Sequence, residues 1–169
     1  HVVTSLARGF KDCKHQVNYA TIHSFLDNTL KSRLGMRLLA EHHIGLREEK
    51  NNFVGAIDTE LRLKATIERC ADFVRQLCEH HYGVCPGIVI DGHQDAAFSY
   101  FPSPLEYILL ELLKNAMRSI VEFHGDRNTY DSSSLPSVKI TICSNKKDFT
   151  IRIADQGGGI SDNEMKEVF

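Results

Sequence analysis

No stretch of this chain approaches the roughly 20 consecutive apolar residues that a membrane-spanning helix needs. No charge of one sign dominates either. A net charge of −2 and a pI near 6.5 give no overall drive toward nucleic acid or an anionic membrane. The opening run, His1 to Gln16, lacks a signal-peptide pattern and reads as a helix already under way. Any targeting segment is therefore expected to have been removed or to lie outside this sequence. Cysteine is sparse and scattered. The five residues Cys13, Cys70, Cys78, Cys85 and Cys143 are odd in number and form no CxxC pair, which argues against a disulfide framework and suits a reducing compartment. The adjacent pairs His42-His43 and His80-His81 match no common zinc spacing. No internal repeat is present.

What remains is a globular composition. The 169 residues are 42% hydrophobic and 25% charged, enough for a real core and about one to one and a half domains. The texture changes near Pro86. Before it, Ile22, Phe25, Leu26, Leu30, Leu34 and Leu38 recur at spacings of three and four, the signature of one face of a long helix. Gly45 and the polar run from Glu48 to Asn52 break that pattern. A second helix carries Leu63, Ile67, Cys70, Val74, Leu77 and His81 and is expected to stop at Gly83. With a shorter opening helix, residues 1–85 are expected to make most of an antiparallel helical bundle.

After Pro86 the pattern is mixed. Ile88-Val89-Ile90 reads as a short strand ended by Asp91-Gly92. Ser103-Pro104-Leu105-Glu106 offers a helix start in which serine caps, proline suits the first turn and glutamate completes a capping box. The helix should run to about Phe123. The polar segment from Gly125 to Ser134 reads as a surface loop. Val138, Ile140 and Ile142, then Phe149, Ile151 and Ile153, alternate with polar or smaller neighbours, so a hairpin joined through residues 144–147 is expected. Ser161 and Glu164 offer a further capping box. The fold class is α+β, with residues 86–169 forming an incomplete α/β sandwich on a mixed or antiparallel sheet.

Two stretches could carry chemistry. In the capped helix, Glu111 and Asn115 lie four apart on one face, flanked by Lys114 and Arg118. Taken alone, that stripe reads as a solvated face with a helpful Glu–Lys pair, although asparagine is a poor helix former. In the second stretch a strand ends at Asp155 and Gly157-Gly158-Gly159 follows, letting the backbone pass close to something flat or charged. An aspartate there can accept a hydrogen bond from an exocyclic amine such as that of adenine. Alone, such a segment also reads as a flexible turn.

In this order and about forty residues apart, the two stretches resemble the N-box and first glycine box of the GHKL ATPase and kinase superfamily. The resemblance implies ATP and Mg²⁺ as cofactors. Asn115 would ligate Mg²⁺ and Asp155 would fix adenine. Gly157 and Gly159 would shape the nucleotide wall, Lys114 and Arg118 would flank the nucleotide, and Glu111 would act as general base or water-positioner. Phosphoryl transfer mainly needs positioning and charge neutralisation, and Mg²⁺ takes few protein ligands, so these residue types suit the task.

The first half narrows the likeness. Phe25-Leu26-Asp27, the run Ser32-Arg33-Leu34-Gly35-Met36-Arg37-Leu38-Leu39-Ala40-Glu41-His42-His43, Leu77 to Gly83, and Phe101-Pro102 with Pro104-Leu105 are similar to the mitochondrial 2-oxo-acid dehydrogenase kinases. Ser32 to Gly35 and the adjacent histidines look closer to the branched-chain type than to the pyruvate type. The resemblance implies a serine kinase of the mitochondrial matrix, dimeric when full length. It would inactivate the decarboxylase subunit of the branched-chain complex and dock through residues 1–85 on the lipoyl-bearing acyltransferase core. Phosphorylation of the pyruvate complex, or a non-catalytic ATP-binding docking module, are the alternatives. No nucleic-acid or membrane partner is implied. His43 matches the histidine that faces the N-box glutamate in that family, hence a catalytic support role; without the resemblance it reads as a core or interface residue. Gln156 stands where relatives usually have arginine, and Ser119 replaces a small apolar residue, a change expected to matter little. The family's ATP lid, second glycine motif and C-terminal tail would follow Phe169.

Overall fold

The computed structural model describes residues 2–13, 18–124, 134–161 and 163–165, so the expected loop from Gly125 lies almost wholly outside the described residues. Two compact units result, residues 1–56 and residues 57–169.

The first unit contains helices α1 (Val2–Cys13) and α2 (Tyr19–Gly45) and the short strand β1 (Phe53–Val54). Helix α2 opens where Asn18, in extended backbone, accepts the Ala20 N–H at 3.0 Å through its side chain, satisfying one of the orphan donors of the first turn. Phe10 of α1 and Phe25 of α2 meet with ring centroids 5.9 Å apart. The apolar face anticipated on α2 is only partly covered. Ile22, Leu26 and Leu38 are half-buried, whereas Phe25, Leu30 and Leu34 remain exposed, as do Met36 and Leu39 on another side. At its C-terminal end α2 meets the turn before residue 57. Gly45 packs on Gly55 so closely that an added Cβ would sit 2.8 Å from the Gly55 carbonyl carbon.

The second unit contains β2 (Ile57–Arg62), α3 (Leu63–Tyr82), β3 (Ile88–Gly92), β4 (Ala97–Tyr100), α4 (Pro102–His124), β5 (Val138–Ser144) and β6 (Phe149–Ala154). The compact units thus divide at residues 56 and 57, not at 85 and 86. The physical reason is that α3 buries Leu63, Ile67, Cys70, Ala71, Val74 and Cys78 in one core with Leu105, Leu109, Leu113, Met117 and Ile120 of α4. Arg69 and Glu106 form an ion pair across the two helices. The periodicity that placed α3 with the earlier helices is real, but its apolar face serves this core. Helix α3 stops at Gly83 as expected, in the left-handed conformation (φ 74°) with its N–H donating to the Glu79 carbonyl.

Helix α4 begins at Pro102, one residue before the serine expected to cap it, and Glu106 is engaged by Arg69 of α3. Proline is tolerated there because a first-turn N–H has no intrahelical acceptor to lose. The hairpin of β5 and β6 forms as anticipated, with Ile140 opposite Ile153 and Ile142 opposite Ile151. Its turn is held by Asn145, whose side chain accepts the N–H groups of Lys147 and Asp148. β3 adds to β5 in parallel, Ile88 opposite Val138, which makes this a mixed sheet with α4 in the crossover. Val138, Ile140 and Ile142 are fully buried against the helices. A second antiparallel pairing, β2 with β4, was not anticipated. Phe98 and Tyr100 of β4 pack on Phe149 of β6, at ring centroids 5.0 and 5.3 Å, and so tie the two sheets together. The architecture is α+β. Among the described residues no helix is long and apolar enough to cross a membrane.

Candidate functional site

The core fixes the rotation of α4. With Leu109, Leu113, Met117 and Ile120 turned inward, Glu111, Asn115 and Ser119 fall on successive turns of the opposite side, drifting by about 40° per step. Asn115 is exposed and Glu111 and Ser119 are half-buried. Lys114 Nζ lies 2.5 Å from Glu111 Oε1, and Arg118 Nε donates to Glu122 Oε1 at 2.8 Å. Both flanking cations are therefore already paired on their own helix. Glu122 also accepts from the Tyr82 hydroxyl at 3.4 Å. These contacts hold the Arg118 guanidinium above its usual range, and burial first, then Glu122, raise the Tyr82 phenol.

Asp155 follows β6 and meets α4 through Ser119. The Ser119 hydroxyl lies 3.2 Å from Asp155 Oδ1, and the Gly157 N–H donates to the same oxygen at 2.9 Å. An added Cβ at Gly157 would fall inside the Ser119 side chain, 2.5 Å from its Cβ and 2.7 Å from its carbonyl carbon. Glycine at 157 is thus a requirement of close approach, not of backbone conformation. At the end of α4, five residues beyond Ser119, His124 Nε2 donates to the Gln156 carbonyl at 2.7 Å, and the Phe123 ring lies under Gly158. Gly159 has a left-handed φ of 76° and open space around it. Beyond it, Ser161 and Glu164 complete the expected capping box, which lowers the pKa of Glu164 through the Ser161 hydroxyl and N–H.

The structure therefore brings Asp155 and Gly157 to Ser119, on the polar stripe that also carries Glu111 and Asn115, with Gly159 leading away from it. Lys114 and Arg118 instead line a hollow with Val74, Cys78, His81 and Tyr82 of α3. Ser119, expected to matter little, is the residue that makes the junction. His124 is a second contributor that sequence reasoning did not single out. The signal for Ser119 was its spacing, four after Asn115 and eight after Glu111 on the same polar stripe. His43 lies in the other compact unit, exposed, two residues before the end of α2. Its neighbour His42 is taken up locally, where Nδ1 accepts the Ala56 N–H at 3.3 Å.

The donor chemistry fits the cofactors that the sequence implies. An exposed carboxamide oxygen and a carboxylate one turn apart are hard oxygen donors of the kind that leave Mg²⁺ most of its coordination for phosphates and water. Among the described residues no group of three or more His, Cys, Asp or Glu could form a metal cage. Both described bonds to Asp155 fall on Oδ1, so Oδ2 is the acceptor open to an amine.

Comparison with known proteins gives the family. Residues 1–58 match the family described as mitochondrial branched-chain alpha-ketoacid dehydrogenase kinase. The chain is 32% identical, over 99% of its length, to the mitochondrial pyruvate dehydrogenase (acetyl-transferring) kinase of Drosophila melanogaster, of which it covers 44%. It is 34% identical over 95% of its length to the corresponding kinase of Schizosaccharomyces pombe, covering 38% of that protein. With the Arabidopsis thaliana enzyme it shares 30% over its whole length and covers 46%. The chain belongs to the mitochondrial 2-oxo-acid dehydrogenase kinase family. It spans less than half the length of these curated relatives. The likeness to the pyruvate kinases runs through both compact units and so includes the Glu111–Asn115 helix and the Asp155 glycine segment.

Proposed function

We propose that this chain carries the N-box side of a GHKL-type nucleotide site in a mitochondrial protein-serine kinase. In this reading it transfers phosphate from Mg-ATP to the decarboxylase subunit of the branched-chain 2-oxo-acid dehydrogenase complex and thereby inactivates it. The observation that carries the nucleotide site is the junction through Ser119, which brings the Glu111–Asn115 helix and the Asp155–Gly157 segment to one face. Neither stretch is specific alone; held together they offer a metal donor, a carboxylate and an amine acceptor along one line.

Mg-ATP, when bound, supplies the phosphoryl group and the charge neutralisation that its transfer requires. Asn115 would hold the metal through its carboxamide oxygen. Asp155 would receive the exocyclic amine of adenine, with the backbone at Gly157 and Gly159 forming the wall of the base site. Glu111, oriented by Lys114, would accept the proton of the substrate serine hydroxyl. Lys114 and Arg118 would flank the nucleotide. His43 would support Glu111 as an imidazole beside a carboxylate. Docking on the lipoyl-bearing acyltransferase core would fall to the helical part within residues 1–85 and the nucleotide to residues 86–169, with α3 sharing the core of the second part. The full-length enzyme would be a homodimer of the mitochondrial matrix.

The family match over residues 1–58 and the Ser32–Gly35 run favour the branched-chain complex. The names of the relatives favour the pyruvate complex, which is the second reading. One experiment separates them: the full-length protein, Mg-ATP, and both purified decarboxylase components side by side. Phosphate on the branched-chain component, abolished by Glu111→Gln or Asn115→Ala, is the expected result. Preferential labelling of the pyruvate component moves the assignment to the sister complex. ATP binding with no labelling of either leaves a docking module.

A further inference from the structure

Ser119 occupies a position where the sequence resemblance gives no role to a hydroxyl, yet it makes the contact on which the site is built. Its Oγ lies 3.2 Å from two acceptors, the Ala116 carbonyl and Asp155 Oδ1. One hydroxyl has one proton. The Ala116 carbonyl already accepts within the helix ladder, whereas a carboxylate oxygen is a charged acceptor and forms the stronger bond. The proton therefore goes to Asp155. With the Gly157 N–H on the same oxygen, Oδ1 carries two donors and the carboxylate is fixed about a side-chain torsion that is otherwise broad.

We propose that Ser119 is a positioning residue for the nucleotide base: by holding Asp155 Oδ1 it presents Oδ2 to an exocyclic amine. The inference rests on the ATP-site reading above and deepens it. Glu111, Asn115 and Ser119 then form a two-turn ruler on α4, about 12 Å from end to end along the axis. Phosphoryl transfer sits at one end, the metal in the middle and the base anchor at the other. Ser119 is not needed for folding, since the core of this unit is made by the opposite face of α4.

The test measures binding of two nucleotides, Mg-ATP and the Mg²⁺ complex of purine riboside triphosphate, which lacks the exocyclic amine, to wild type and to Ser119→Ala. Wild type should prefer ATP. The variant should bind ATP about three- to tenfold more weakly, the value of one hydrogen bond to a carboxylate at the surface, and bind the amine-free analogue within twofold of wild type. Its thermal midpoint should fall by no more than a few degrees, the worth of that one bond. Equal weakening of both nucleotides would mean that Ser119 merely supports the segment, and no weakening of either would mean that it does nothing; each overturns the proposal. A wild-type protein indifferent to the amine would overturn the adenine assignment of Asp155 itself, and that result is read before any variant is made.

Discussion

Replacing Gly157 by alanine sets two energies against each other, and their sizes decide where the damage appears. The added methyl would overlap the Ser119 side chain and approach the backbone of α4 to 2.7 Å, so something must move. Helix α4 is held by Leu109, Leu113, Met117 and Ile120, each almost fully buried and each contributing about 2 kcal/mol of burial. The glycine segment is held by three polar contacts, Ser119 to Asp155, Gly157 to Asp155 and His124 to Gln156, each contributing about 1 kcal/mol. The segment therefore yields and the helix stays. Overpacking of one methyl costs about 1–3 kcal/mol, and lifting Asp155 off Ser119 adds about 1 kcal/mol to the cost of binding. Mg-ATP affinity should fall by about thirtyfold or more, while the stability of the fold changes by less than about 1 kcal/mol. Isothermal titration and urea denaturation of the same full-length preparation read the two quantities. Ser119→Gly in the same background should restore part of the affinity, because the overlap is shared and the two changes cannot be additive. A Gly157→Ala protein that binds nucleotide like wild type, or that loses as much stability as affinity, would refute the reasoning.

Two further outcomes concern the scaffold. Gly92 has φ 89° and an added Cβ would land on the Ile142 carbonyl oxygen, which accepts the His93 N–H at 2.8 Å; Gly92→Ala should cost more than about 2 kcal/mol in urea denaturation, and a loss under about 0.5 kcal/mol would refute the geometry at the end of β3. Burial pushes the Cys85 thiol up to about 12 and raises Cys70 and Cys78 in the same direction. A raised folded pKa means that the unfolded chain ionises first, so the contribution of Cys85 is complete below about pH 9 and declines toward pH 12, by up to about 1.4 kcal/mol per unit. Cys85→Ala should flatten the fall in urea midpoint between pH 8.5 and 10.5, and an unchanged slope would sink the assignment.

What the sequence made legible was whatever depends on short-range pattern. Val138, Ile140 and Ile142 alternate because one face of β5 is buried, and all three are fully buried. Gly83 ends α3 because only a left-handed residue closes that turn without a Cβ penalty. The missed strands carried only a weak form of that pattern. Ile57 to Arg62 alternates with aspartate, glutamate and arginine, and β4 is four residues long, so neither stands out until they pair. Likewise Glu106 looked like half of a capping box, but a cation 37 residues away competes for it. The same limit explains Ser119. Its place on the polar stripe was visible, but its partner is brought to it by the whole β5–β6 hairpin, and a spacing rule for one helix contains no term for that.

The adjacent histidines show how local structure assigns roles that sequence leaves open. Successive residues on a helix point about 100° apart, so His42 and His43 cannot serve the same surface. His42 is turned toward the glycine turn. Its Nδ1 accepts the Ala56 N–H, and a Cβ on Gly55, itself at φ 60°, would meet that ring at 2.5 Å. An acceptor Nδ1 means a neutral ring with its proton on Nε2, and protonation of Nδ1 would break the bond. His42 is thereby committed to fastening the end of α2 to residues 55–56. The rotation this imposes leaves His43 exposed on a different side. A supporting imidazole must not be held in an anchor of its own. Among the described contacts only His42 is so committed, which leaves the second histidine of the pair for the support role proposed above.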